Sequence, residues 1–124
     1  MLAVSALARV EVAAAIWRKQ RLGELDSQDA GLLIRAFEAD YHGTASSRPR
    51  FAALEVSTAV LEVAADVVAL HGLRAYDGVQ LASALTARAA DPSCNAFAAF
   101  DGALREAATM RGFALVPRFC RAMS

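Results

Sequence analysis

Lysine is nearly absent from this chain: Lys19 stands alone among thirteen cations, and the other twelve are arginine. Net charge is absent too, because thirteen acids bring the formal balance to zero. A globally basic nucleic-acid binder is therefore not indicated. Long apolar runs are missing as well. Residues 10–17 are interrupted by Glu11 and residues 63–70 by Asp66, well short of the ~20 apolar residues that a spanning helix needs. The start of the chain, residues 1–8, is apolar but has no basic residue before it, unlike a secretory leader. The expectation is a cytoplasmic protein with no membrane association. Cysteine is scarce: Cys94 and Cys120 have no metal-ligand spacing and are expected to be free thiols in a reducing compartment. No repeat, low-complexity tract or linker stands out.

What is present fits one domain spanning residues 1–124, long enough to bury a core without disulfides. Hydrophobic residues make up 56% of the chain, with alanine supplying much of the excess, which points to close-packed helices. Residues 2–4 are β-compatible, and Ser5 can cap a helix to about residue 20 whose apolar stripe is Leu7, Val10, Ala14 and Trp17. Ser27 can cap a second helix to about residue 41, with Leu33, Ala36, Phe37 and Tyr41 inward. A short strand is expected at residues 51–56, then a helix capped by Ser57 or Thr58 and stopped at Gly72. Further helices are expected over residues 76–89 and 101–111, with short strands at 96–100 and 113–116. Short apolar strands alternating with helices predict an α/β fold with a short, mostly parallel sheet flanked by helices.

Three acids sit where solvated charges do not belong. Glu11 lies on the apolar stripe of the first helix. Asp77 shares a helical face with Leu81, Ala84 and Leu85, and Asp101 follows directly on a strand, where α/β sheets gather ligands. Each has a plainer role. Asp101 can cap its helix, Asp77 can complement a helix dipole, and Glu11 can pair with Arg9 or Arg74. Together, three acids that can converge at one end of a sheet suggest a site for Mg²⁺, or Mn²⁺ in its place. Arg74 and Arg105 are candidate phosphate contacts, with ordinary surface charge as the plainer alternative. Residues 105–121 hold four arginines against Glu106. His71 sits beside a helix stop, His42 in a loop and Ser83 in mid-helix, so neither a histidine nor a serine mechanism is suggested.

The segment Leu73-Arg74-Ala75-Tyr76-Asp77-Gly78-Val79-Gln80-Leu81-Ala82-Ser83-Ala84-Leu85 resembles the LRAYDAxQLAxAL motif of VapC-like PIN-domain ribonuclease toxins. Ser5 to Glu11 resembles their SxLxRxE segment, Phe97 to Leu104 their FVTFDxxL, and Gly112 to Pro117 their closing strand. The order and spacing agree over nearly the whole chain. The resemblance implies a PIN-like fold, with Glu11, Asp77 and Asp101 as three of four metal-binding catalytic acids. It also implies a Mg²⁺-dependent endoribonuclease acting on RNA of the tRNA or rRNA class, a homodimer, and a VapB-like antitoxin as partner.

Two departures from the family pattern matter. The family opens with a strand ending in aspartate, followed by a helix, and no aspartate precedes Glu11 here. The expectation is therefore an N-terminally incomplete PIN domain, lacking the first strand and helix. The strands near residues 2–4 and 96–100 would then miss their shared neighbour. Ala99 stands where the family has threonine or serine. These departures motivate an alternative: a catalytically impaired remnant acting as an antitoxin-binding or dimerisation module.

Overall fold

Residues 2–118 are described in the computed structural model; Cys120 and Arg121, weighed above, lie outside them. The protein is α/β, with five helices and two small parallel sheets. It divides into two compact units, Met1–Glu55 and Val56–Ser124, each with its own architecture. Among the described residues no helix is long and apolar enough to cross a membrane.

The N-terminal unit runs β1 (Leu2–Ser5), α1 (Ala8–Arg21), α2 (Ser27–His42), β2 (Phe51–Leu54). β1 and β2 pair in parallel, from Leu2 opposite Phe51 to Ser5 opposite Leu54. A parallel pair needs a long crossover, and the two helices supply it. The helix starts differ from expectation. Ser5 does not cap α1: its hydroxyl accepts from the Leu7 amide at 3.2 Å, and α1 begins three residues later without a side-chain cap. Asp26, one residue before Ser27, caps α2 by accepting from Asp29 N at 2.7 Å.

The apolar faces are also rotated from those expected. In α1, Val10 is 61% exposed and Trp17 39%, while Glu11, Val12 and Ile16 are half-buried. In α2, Leu33 and Ala36 face solvent and Ala30, Ile34, Phe37 and Tyr41 turn inward. Alanine-rich helices carry two near-equivalent apolar stripes, and periodicity alone does not choose between them. The Phe37 ring lies 5.9 Å from Tyr41 and 5.6 Å from Phe51, so the inward stripe of α2 packs on β2.

The C-terminal unit runs α3 (Thr58–His71), α4 (Ala75–Ala90), β3 (Ala96–Ala98), α5 (Gly102–Met110), β4 (Ala114–Val116). Ser57 caps α3 by accepting from Val60 N at 3.2 Å. Gly72 ends that helix at φ +64°, a left-handed conformation that glycine adopts without Cβ strain. The core gathers Val67, Leu73, Leu81, Phe97, Leu104, Ala107, Ala108 and Phe113. α3 and α4 approach closely at Gly78, where a Cβ would run into Val68 and lie 3.3 Å from the Ala64 carbonyl oxygen. Arg88 of α4 lies 4.1 Å over the Phe113 ring and donates to the Arg111 carbonyl at 2.7 Å, closing the C-terminal end of α5. β3 and β4 pair in parallel, from Ala96 opposite Ala114 to Ala98 opposite Val116. Both strands are shorter than expected by one or two residues. Beyond Ala99, whose amide still bonds Val116 O, the chain turns into the start of α5, and that is where Asp101 sits.

Candidate functional site

Asp77 lies in the first turn of α4, and its side chain is 14% exposed. Arg74 is the N-cap residue of the same helix, in an extended conformation. From there its guanidinium turns back over the helix start. Arg74 Nε stands 3.4 Å from Asp77 Oδ2, and Arg74 Nη2 stands 3.6 Å from Asp101 Oδ1. Both separations are long for hydrogen bonds, so the attraction is mainly between charges. The Arg74 side chain is 79% exposed, which keeps these pairings weak.

Asp101 divides its two oxygens. Oδ2 accepts from the Leu104 amide at 3.0 Å and caps α5, while Oδ1 faces Arg74. The plainer capping role and the turn toward a cation therefore coexist in one side chain. Arg105, on the first turn of α5, fixes the segment that carries Asp101. Its Nη1 donates to the Ala99 carbonyl at 2.8 Å and its Nη2 to the Pro117 carbonyl at 2.9 Å. The Ala99 amide donates in turn to Val116 O at 3.1 Å. The guanidinium thus ties the ends of β3 and β4 together, immediately beside Asp101.

Glu11 belongs to the N-terminal unit, in the first turn of α1. It is half-buried, and one of its carboxylate oxygens is shut off from solvent. Arg9, considered above as a partner for it, places Nε 3.1 Å and 3.2 Å from the two oxygens of Glu38 and lies 5.8 Å from the Tyr41 ring centre. The hydrogen bond from Arg9 holds the Glu38 carboxyl below its usual range, helped by His42. Among the described residues no group of three or more histidine, cysteine or acidic side chains is arranged to hold a metal ion. Two of the three predicted acids, Asp77 and Asp101, meet around one guanidinium within the C-terminal unit. As donors they fit a hard cation: two carboxylates from different elements, already converging on a single positive charge.

The remaining candidates have local roles. Ser83 Oγ donates to the Val79 carbonyl at 2.8 Å. His42 Nε2 lies 3.0 Å from Glu38 Oε2. Cys94 is a free, half-buried thiol. Sequence reasoning missed two features. One is the double engagement of Arg74, of which only the Asp77 half is visible as an i,i+3 spacing. The other is a hollow of about 190 Å³ lined by Leu70, His71, Ala103, Glu106, Ala107 and Met110; the Nε2 of His71 is buried without a hydrogen-bond partner among the described residues. The hollow contains none of the three predicted acids.

Comparison with protein families, with curated proteins and with solved structures gives no match in any of the three.

Proposed function

We propose that the protein is a metal-dependent endoribonuclease with a PIN-like fold, of the VapC-like toxin type. Asp77 and Asp101, both in the C-terminal unit, are its cation-holding carboxylates. The observation that carries this reading is the convergence of Asp77 and Asp101 on Arg74, at 3.4 Å and 3.6 Å. Two acids drawn from separate motif-like segments meet there, at the end of a parallel strand pair. Mg²⁺ or Mn²⁺, when bound, supplies Lewis-acid polarisation of a phosphodiester and activation of water.

The chain's own residues would prepare that site. Asp101 keeps its cap on α5 through Oδ2 and offers Oδ1. Asp77 is shielded from bulk water, which strengthens its attraction for a cation. Arg105 holds the strand ends so that Asp101 is not free to drift. Arg74, beside both acids and largely exposed, is suited to meet an RNA phosphate. A VapB-like antitoxin and a second copy of the chain are the partners this reading carries with it.

The test is hydrolysis of a structured RNA by the purified protein with Mg²⁺, with EDTA, and with Asp77→Asn. Cleavage should need the metal and fall at least about 100-fold in the variant, the scale of losing a group that acts on the reacting centre. Cleavage indifferent to EDTA, or undiminished in Asp77→Asn, contradicts the reading.

A second reading is a catalytically silent module that binds an antitoxin or dimerises. It is favoured by the sheets, each of only two strands among the described residues. Each described strand is paired on one side only, and a strand edge left unpaired can recruit a partner. Failure of RNA cleavage combined with stable association would support it.

A further inference from the structure

We propose that Arg74 is a built-in counter-ion that competes with a divalent cation for Asp77 and Asp101. This rests on the reading of those two acids as a cation site. One guanidinium reaches both carboxylates, through Nε to Asp77 and Nη2 to Asp101. Two like charges brought close to one another need a positive charge between them, and Arg74 supplies it from the helix cap that immediately precedes Asp77.

The arrangement is built to yield. Arg74 is 79% exposed and its separations are long, so water competes with each pairing. A divalent ion brings twice the charge in a smaller volume and accepts oxygen ligands directly. Asp101 can change partner and keep its cap on α5, because the oxygen that caps α5 is Oδ2 and the one that faces Arg74 is Oδ1. Once displaced, the guanidinium remains tethered at the start of α4, beside the site and open to solvent. It is then available to the phosphate of the substrate. The same arginine thus engages carboxylates first and phosphate second, and substrate affinity becomes coupled to metal occupancy.

The experiment is Mn²⁺ binding to the whole protein, read as loss of the free-ion signal in electron paramagnetic resonance. Wild type, Arg74→Gln, Asp77→Asn and the Arg74→Gln/Asp77→Asn double variant are compared, with circular dichroism confirming the fold. Removing the competing charge should tighten Mn²⁺ binding about threefold to fivefold, the scale of one exposed ion pair. Asp77→Asn should weaken binding in both backgrounds. If Arg74→Gln binds Mn²⁺ equally or more weakly while Asp77→Asn still weakens it, the cation site stands and the competition is overturned. If Mn²⁺ binds no variant, or binds without regard to Asp77, the site and the competition fall together.

Discussion

Arg105 and Arg74 carry the same side chain, lie at the starts of neighbouring helices, and do different work. Arg105 is part-buried and gives Nη1 and Nη2 to the carbonyls of Ala99 and Pro117 at 2.8 Å and 2.9 Å. Arg74 is open and meets the carboxylates of Asp77 and Asp101 at longer range. The sequence offers both as phosphate contacts, because it shows neither the distance to Pro117 nor the depth of burial. Arg105 is in the first instance a clamp on the ends of β3 and β4. Arg105→Met keeps the stem and removes the donors. It should destabilise the C-terminal unit by about 2 kcal/mol, the scale of hydrogen bonds from a charged donor, measured as a lower urea midpoint with an unchanged slope. An unchanged midpoint would show that the clamp contributes nothing. Asp101 was legible at this scale in both of its roles, as cap and as strand-end acid. Asp77 was legible too, because an acid on the same helical face as Leu81 calls for a cation. The pairing of Asp77 with Asp101 was not legible, since nothing local connects positions 77 and 101.

At the scale of the element, helices and strands fall in the order their residues predict, with bounds shifted by one to three residues. Caps and stops decide how well each is read. Ser57 and Gly72 announce α3 because both act locally. Ser5 is misleading because Leu7 takes its hydroxyl one turn too early. Faces are harder to read than bounds. In α1 and α2 the exposed stripe is as apolar as the inward one, and the choice rests on tertiary packing that no periodicity encodes. α4 is clearer. Its inward face carries Gly78, Leu81, Ala82 and Ser83, all buried, and Gly78 sits where α3 leaves no room for a side chain. Gly78→Val should therefore destabilise the C-terminal unit by about 2 kcal/mol, from overpacking of a tight core. Differential scanning calorimetry checks this through a lowered melting temperature. A melting temperature at or above that of the wild type would mean that Val68 moves aside freely.

At the scale of the whole molecule, the α/β class and the parallel pairing were legible in the alternation of short apolar strands with helices. The single short sheet expected from that alternation is instead two parallel pairs among the described residues, β1 with β2 and β3 with β4. Each unit has its own cement: Phe37, Tyr41 and Phe51 in the first, and the cluster around Leu81 and Val67 in the second. The acids are divided in the same way, with Glu11 in one unit and Asp77 with Asp101 in the other. The central claim is therefore that Asp77 and Asp101 form the cation site. Broadening of assigned backbone amide signals by Mn²⁺ at well below one equivalent tests it most directly, because the effect is strongest nearest the ion. The predicted result is early loss of the amides of residues 77–78 and 101–102. Uniform broadening, or early loss centred on Glu106 and Met110 beside the separate hollow, would contradict the account.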